Sequence, residues 1–288
     1  MQTEKAQIPA RDGAGITTFI AHPDTAPIGV AVINHGFGEH IGSYGELLER
    51  LTAGGYIAVI FDHRGHGEMN EPDRAKWKKL IGIIPGYQCF LDDVEVVTQE
   101  MRRRFPNLPL ALYGHSMGGN IAVNYLLRAK DSPFCCAILE SPWLGLFKPV
   151  HPVQASMARI LGKLSPKLAI YNKLPHTDIT GDTESVEELD DDPLYHNRIS
   201  FRMFAGINEG CAYALANASR LNIPTYLAYA ENECIVCNKA IERFGADSGN
   251  CVSLHRYASR HAVHSDTVRE QYYADIMNYL NAHMGHNE

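Results

Sequence analysis

A serine flanked by glycines lies between a short apolar run and a stretch with helical spacing. The segment Gly114–Gly119 reads Gly-His-Ser-Met-Gly-Gly, after the apolar run Leu110–Tyr113 and before the periodic stretch that begins at Asn120. In this setting, Gly-x-Ser-x-Gly forms a sharp strand-to-helix turn that strains the serine backbone and uses the glycines for close packing. The pattern predicts that Ser116 is a nucleophile. The alternative is an ordinary glycine-rich turn with no catalytic role.

Apolar, β-branched runs alternate with amphipathic stretches along most of the chain. Runs that are apolar throughout are typical of strands covered on both faces, and spacings of three and four are typical of helices. The alternation predicts an α/β fold with a mostly parallel sheet and right-handed crossovers. The predicted strands are Gly29–Asn34, Tyr56–Phe61, Leu110–Tyr113, Cys136–Glu140, Thr225–Tyr229 and Val252–Tyr257; the predicted helices are Tyr44–Leu51, Phe90–Phe105, Asn120–Leu127, Lys239–Phe244 and Asp266–Ala282.

The alternation stops between Trp143 and about Leu221, where helical pieces occur without a convincing strand. We expect a helical cap inserted at 143–220, between a first core part at 1–142 and a second at 221–288. Within it, Val153–Leu164 carries an apolar stripe that predicts a helix, which either packs on the core or lines an acyl tunnel. The run Asp178–Asp192 holds eight acids and no Lys or Arg, and is predicted to be a solvated face rather than a metal site.

Charge and composition limit the classes of partner. The formal net charge is −7, and charges outside the acidic run nearly balance, so no basic surface for nucleic acid is present. No apolar run approaches the ~20 residues that span a bilayer. The first residues contain no signal-peptide core, and the seven cysteines lack the spacing of a disulfide scaffold. We therefore expect a cytoplasmic protein that binds no nucleic acid.

A second glycine-rich turn, His35-Gly-Phe-Gly-Glu-His40, follows the predicted strand Gly29–Asn34. The carboxyl ends of parallel strands are where such folds bind ligands. The backbone N–H of Phe37 is expected to join that of Met117 in an oxyanion hole. A tight turn with a satisfied histidine would give the same pattern.

A nucleophilic serine needs a general base, and the base needs an orienting acid. In folds with this serine turn, the chain order is serine, acid, histidine. Glu231 and Glu233 follow the strand Thr225–Tyr229, and His261 and His264 follow the last strand. On position alone, both acids and both histidines are candidates.

Together these segments resemble the monoacylglycerol lipase and lysophospholipase branch of the α/β-hydrolases, which is grouped with the serine-aminopeptidase-like hydrolases. The resemblance covers nearly the whole chain, and the serine turn is identical to that of the family. Five further segments match family motifs: His35–His40 with Tyr44 matches HGxGEHxxRY, Asp62–Gly67 matches DxxGHGxS, Asp192–Leu194 matches a DPL segment of the cap, Ala230–Val236 matches the G-x-x-D-x-[IVL]-V loop, and Arg260–Asp266 matches YHxLxxE.

The resemblance implies an α/β-hydrolase core with an inserted helical cap. Its motifs assign roles as follows: Ser116 is the nucleophile, Glu233 the acid and His261 the base; Phe37 and Met117 supply oxyanion N–H groups; Glu39 and His264 contact a polar head group. The implied reaction is hydrolysis of a lipid-type carboxylic ester, a monoacylglycerol or lysophospholipid, through an acyl-enzyme and without metal or cofactor. The ester would be bound either at a membrane or micelle surface, through a transient contact, or as a dissolved monomer. The alternatives are an esterase or amidase for a small aromatic ester or peptide, and a binding module without turnover.

Three positions depart from the family pattern. The acid is Glu233 where Asp is usual, which lengthens its reach by one methylene but leaves the mechanism intact. Ser43 replaces an Arg before Tyr44, and Met69 replaces a Ser. Loss of the Arg removes a strong donor near the entrance, so the motif alone does not establish glycerol-ester specificity. A separate Cys-x-x-Cys pair, Cys234 and Cys237, follows the acid; packed thiols are favoured over a zinc half-site or a regulatory disulfide.

Overall fold

The computed structural model describes residues 1–68, 73–129, 131–172 and 174–285. Its strands are β1 (Gln2–Pro9), β2 (Gly15–His22), β3 (Gly29–Asn34), β4 (Tyr56–Phe61), β5 (Leu110–His115), β6 (Phe134–Glu140), β7 (Ala169–Tyr171), β8 (Arg198–Ser200), β9 (Thr225–Ala230) and β10 (Val252–Tyr257). Its α-helices are α1 (Gly45–Ala53), α2 (Arg74–Leu80), α3 (Gln88–Arg104), α4 (Met117–Arg128), α5 (Pro152–Leu164), α6 (His176–Ile179), α7 (Thr183–Asp191), α8 (Phe201–Asn217), α9 (Asn238–Asp247) and α10 (Arg269–Met284).

The main sheet of the described chain runs in the order β1-β2-β4-β3-β5-β6-β9-β10. Strands β4, β3, β5, β6, β9 and β10 are parallel neighbours, and β2 is antiparallel to both β1 and β4. The predicted fold class, a mostly parallel sheet flanked by helices, is confirmed. The hairpin of β1 and β2 was not predicted, because β1 is polar and only Ile8 of it is buried.

Apolar side chains of the central strands fill two cores, one on each face of the sheet. On β3, Val30 and Val32 point to one core, and Ala31 and Ile33 point to the other. This alternation is what a pleated strand covered on both sides requires. Helices α3, α4, α8 and α9 contribute to the first core, and helices α1 and α10 contribute to the second.

The segment between β6 and β9 carries α5 to α8 and the antiparallel pair of β7 and β8. The prediction that this segment contains no strand is therefore wrong. Each of the two strands has three residues, which is too short to show a period in the sequence. The acidic run includes all of α7, which has no buried residue and so agrees with the predicted solvated face, whereas Ile179 and Thr180 of the same run are buried.

Helix α5 is present, but both predictions for its apolar stripe are wrong. Val153, Met157, Ile160 and Leu164 are 59, 55, 57 and 77% exposed. The helix buries Ala158 and Gly162 instead. A Cβ on Gly162 would lie 2.9 Å from the Cα of Arg202 on α8, so the small residues allow a close helix–helix approach. That approach leaves the larger apolar side chains facing solvent.

Candidate active site

Ser116 sits in the sharp turn between β5 and α4. Its backbone has φ 51° and ψ −112°, a left-handed conformation that few non-glycine residues adopt. A Cβ on Gly118 would lie 2.1 Å from the carbonyl oxygen of Asn34, and one on Gly114 would lie 2.6 Å from that of Gly118. The glycines therefore let the start of α4 pack directly on the end of β3, as the serine pattern predicted.

The turn at Ser116 meets two loops from the second half of the chain. The Nε2 atom of His261 lies 2.8 Å from Oγ of Ser116, and its Nδ1 atom lies 2.7 Å from Oε2 of Glu233. Ser116, His261 and Glu233 are only 6, 4 and 7% exposed, respectively. The arrangement forms a continuous hydrogen-bonded chain from acid to imidazole to hydroxyl, which is the geometry that activates a serine.

The pKa values of the pair fit an imidazole held by an anionic acid. Burial lowers the pKa of His261, but the charge and hydrogen bond of Glu233, together with the charges of Glu39 and Glu140, raise it by more, so the pKa lies above its usual value. Burial raises the pKa of Glu233, but the charge and hydrogen bond of His261 and the N–H groups of Ile235 and Val236 bring it below its usual value. Glu233 is therefore ionised at neutral pH, when it can orient and stabilise the imidazole.

The other acid and the other histidine lie elsewhere. Glu231 pairs with Arg256 at 2.8 Å, and both side chains are exposed. The Nδ1 atom of His264 lies 2.9 Å from Oε1 of Glu140, not beside Ser116. Of the four candidates, only Glu233 and His261 join the serine.

The two predicted oxyanion donors are free of protein acceptors. Neither the N–H of Phe37 nor that of Met117 donates to another atom in the described part of the chain. Met117 is the first residue of α4, where the N–H groups of a helix have no intrahelical partner and the dipole favours negative charge.

A cluster of four histidines in mutual ring contact lies beside Phe37. His35 contacts His63 and His66 with ring centroids 4.4 and 5.3 Å apart, and His66 contacts His196 at 4.7 Å. Burial holds the pKa of His35, His63 and His66 well below the usual range and lowers that of His196 to about 4. The cluster is therefore neutral at physiological pH.

His196 belongs to the inserted segment and ties it to the Phe37 loop. Its N–H donates to the carbonyl oxygen of Gly38 at 3.0 Å, and its ring contacts that of Phe37 edge to face. Gly38 has φ 84°, and a Cβ there would lie 2.3 Å from the carbonyl oxygen of His196. Glycine is required at this position on both grounds.

The two predicted head-group residues line a cavity of about 550 Å³ beside the site. Glu39 accepts hydrogen bonds at Oε2 from the N–H of Gly36 and the hydroxyl of Tyr44, both at 2.6 Å. His264 stacks on Tyr44 with centroids 5.0 Å apart. Ser43 also lines the cavity, while Met69 lies outside the described residues. The head-group role stays a prediction.

Two further groups of residues carry side chains that can bind metal ions. Within the described ranges, His115, Glu140 and His264 offer ligand atoms within 4.8 Å of one another. Hydroxyl and N–H donors already engage both oxygens of Glu140. Cys234 and Cys237 are free and partly exposed. Sequence reasoning missed Glu140, although an acid at the end of an apolar strand, Cys136–Glu140, was a visible signal.

The fold and the serine turn define an α/β-hydrolase. The family model described as serine aminopeptidase, S33, matches residues 25–268. The chain belongs to this family, and its resemblance to the monoacylglycerol lipase-like hydrolases is confirmed.

Curated relatives and solved structures agree with this assignment. An uncharacterized abhydrolase domain-containing protein from Dictyostelium discoideum is 29% identical over 261 residues, which is 90% of this chain and 27% of that protein. A monoacylglycerol lipase from Mycolicibacterium smegmatis is 32% identical over 185 residues, covering 64% of this chain and 62% of the relative. The chain thus spans about a quarter of the length of the first relative and less than two thirds of the length of the second.

The fold is also that of a solved yeast protein. A soluble variant of monoglyceride lipase from Saccharomyces cerevisiae, in complex with a substrate analogue, superposes with a TM-score of 0.86 at 24% identity. The match covers 99% of this chain and 97% of that one.

Proposed function

We propose that the protein is a serine hydrolase that cleaves lipid-type carboxylic esters, of the monoacylglycerol or lysophospholipid class, through an acyl-enzyme. The observation that carries the proposal is the hydrogen-bonded chain from Glu233 through His261 to Ser116. The free N–H groups of Phe37 and Met117 beside it support an oxyanion hole.

In the proposed reaction, Oγ of Ser116 attacks the ester carbonyl while Nε2 of His261 accepts the hydroxyl proton. Glu233 holds the imidazole with Nδ1 protonated and stabilises the imidazolium that forms. The oxyanion accepts hydrogen bonds from Phe37 and Met117. The imidazolium then gives its proton to the leaving alcohol, and the same imidazole activates the water that hydrolyses the acyl-enzyme.

We propose that the alcohol or head group occupies the cavity lined by Glu39 and His264. Its lining contains five carboxylates, and among the described lining residues there is no Lys or Arg: Glu39, Glu46, Glu188, Asp191 and Asp192. An acidic cavity disfavours a net negative ligand. The expected substrates therefore carry a neutral or zwitterionic alcohol rather than a free phosphate monoester.

We propose that residues 143–220 act as a cap whose outer surface contacts lipid. Eight large apolar side chains of this segment are exposed: Phe147, Val153, Met157, Ile160, Leu164, Leu168, Ile170 and Tyr171. We call this set the apolar cap face. Between 148 and 172 the sequence has Lys148, Arg159, Lys163 and Lys167 and no acid. Apolar area with flanking cations suits a membrane or micelle surface. No helix in the described ranges is long and apolar enough to cross a bilayer.

A panel of glycerol and lysophospholipid esters of increasing acyl length tests the substrate class. We expect kcat/KM to rise with each two-carbon step, because a buried methylene contributes roughly 0.8 kcal/mol. Highest activity on acetyl or aromatic esters would favour a small-ester hydrolase, and activity on peptide amides alone would favour an aminopeptidase. Failure of the protein to react with a fluorophosphonate probe would favour a binding module.

A further inference from the structure

Glu140, the last residue of β6, is a buried acid that the proposed reaction does not use. It is 0% exposed, and both of its carboxylate oxygens are engaged. Oε1 accepts from the backbone N–H of His264 at 3.0 Å and lies 2.9 Å from its Nδ1; Oε2 accepts from the hydroxyls of Tyr113 and Tyr272. A buried carboxylate is tolerated only with such a set of donors. These four donors therefore stabilise the buried carboxylate of Glu140.

The main chain of Glu140 is bonded to the nucleophile turn. Its carbonyl oxygen accepts from the N–H of Ser116 at 2.9 Å. The next residue, Ser141, has φ 41°, a conformation that non-glycine residues rarely adopt and that clusters at functional sites. The N–H of Ser141 donates to Ala228 on β9, the strand that leads to the Glu233 loop.

The side chain of Glu140 is bonded to the turn that carries the proposed base. His264 follows His261 by three residues. The turn is tight, because Ser265 donates to the carbonyl of Ala262 and Asp266 donates to that of Val263. A bond to the N–H of His264 therefore restrains the position of His261 as well.

We propose that Glu140 is a positioning residue, whose main chain holds the Ser116 turn and whose side chain holds the His261 turn. One rigid residue at the end of a buried strand then sets the separation of nucleophile and base. This inference rests on the proposed function, since it assigns Glu140 a part in the same reaction.

The charge of Glu140 also acts on the base. The ring of His115 lies between Glu140 and His261. Its Nδ1 atom is 3.5 Å from Oε1 of Glu140, and its centroid is 5.0 Å from those of both His261 and His264. Burial lowers the pKa of His261, and Glu233, Glu39 and Glu140 raise it, so removing one carboxylate reduces that rise. The titratable groups that interact with Glu140 are His115, His261, His264, Tyr44, Tyr113, Tyr272 and Tyr273.

Two substitutions separate the reach of this side chain from its charge. Glu140→Gln keeps the length of the side chain and removes its charge. Glu140→Asp keeps the charge but shortens the side chain by one methylene, so the carboxylate no longer reaches the N–H of His264. We expect both to lower kcat by roughly 10- to 100-fold with little change in KM, the effect of a small misplacement of reacting groups. The acidic limb of the pH–rate profile should move to lower pH in the Gln variant only.

Rates are normalised to active sites titrated with a fluorophosphonate probe, so that a loss of folded protein is not counted. The exposed Glu231→Gln serves as the control and should lose less than about tenfold in kcat. Wild-type kcat in Glu140→Asp overturns the proposal even where the Gln variant folds poorly. Loss of wild-type turnover with a chelator and its recovery with Zn²⁺ also overturn it, because His115, Glu140 and His264 would then bind a metal. Ser116→Ala, measured in parallel, tests the proposed function separately.

Discussion

One carboxylate oxygen of Glu233 is hydrogen-bonded to His261, and the other accepts hydrogen bonds from the backbone of its own loop. Oε2 lies 2.7 Å from Nδ1 of the imidazole, while Oε1 accepts from the N–H groups of Ile235 and Val236 at 2.7 and 3.2 Å. The two backbone bonds hold the longer side chain folded against its loop. A glutamate therefore meets the imidazole where the family pattern has an aspartate.

This geometry predicts a severe loss when the acid is neutralised. Glu233→Gln should lower kcat by at least ~10³-fold, because an amide favours the wrong imidazole tautomer and cannot stabilise the imidazolium. Steady-state kinetics on one ester checks it. The matched control is Glu231→Gln, two residues earlier and exposed, which should stay within about tenfold of the wild type. The reverse ranking would mean that Glu231 is the acid.

Removal of the proposed nucleophile should leave the fold and abolish most turnover. Ser116→Ala is expected to lower kcat by roughly 10³- to 10⁶-fold, the range for loss of a triad member. The variant should also fail to react with a fluorophosphonate probe that labels the wild type. Ser141→Ala, at the other non-glycine residue with positive φ in the described ranges, should still be labelled. More than a tenth of wild-type turnover in Ser116→Ala would contradict the assignment.

Activity should fall as the pH is lowered through the pKa of His261. Only the neutral imidazole can accept the serine proton, and Glu233 raises the imidazole pKa above its ordinary 6.5 despite burial. The midpoint of the acidic limb of kcat/KM should therefore lie above 6.5, with full activity on its alkaline side. A profile that is flat from about pH 5 to 9, with chemistry rate-limiting, would exclude this base.

The free energy of unfolding should also fall in acid, because the buried histidines resist protonation in the folded state. Burial lowers the folded-state pKa of His35, His63 and His66 well below 6.5. An unfolded chain then binds protons that the folded chain does not, so stability is lost as pH falls below ~6.5, at up to ~1.4 kcal/mol per pH unit for each ring. Both ring nitrogens of His63 lack a partner in the described ranges. Urea unfolding from pH 8 to 5 should show a smaller loss of unfolding free energy for His63→Phe than for the wild type.

The apolar cap face should govern activity on aggregated lipid. Ile160→Glu places a charge on this face and should weaken binding to anionic vesicles and lower the rate on long-chain esters, while acetyl esters are hydrolysed normally. Vesicle co-sedimentation and the two assays check this. Leu254→Glu makes the same change on the edge strand β10, where the side chain is 41% exposed, and should have no effect. Equal loss on all chain lengths would indicate a damaged fold.

The sequence predicted the central strands and helices well because each had a strong local period. β3, β4 and β10 occupy the predicted residues, since their apolar or strand-like runs are bounded by turn residues. Helix α2 and strand β1 were missed because their residues are mainly polar, and β2 was missed because threonines interrupt its apolar residues. For α5, the period showed an amphipathic helix but could not show that Ala158 and Gly162 form the packed face.

The site residues also fall into those that the sequence predicted and one that it did not. Ser116, Glu233 and His261 were predicted by matching family motifs, because position after a predicted strand alone also allowed Glu231 and His264. Glu140 was not identified, because its surroundings depend on strand register. Residue His115 pairs with Glu140 across β5 and β6, and a register shift of one residue would turn the carboxylate to the opposite face. Long-range pairing of this kind is not encoded in any single segment.

The hydrogen bond from His196 to Gly38 limits how far the inserted segment can be treated as an exchangeable module. Grafting a foreign segment between β6 and β9 replaces His196, and Gly38 then loses its neighbour while Phe37 loses a ring contact. A chimera of this kind can fold and still have a misplaced oxyanion donor. Libraries that diversify the segment to alter chain-length preference should therefore keep residues 192–196 unchanged.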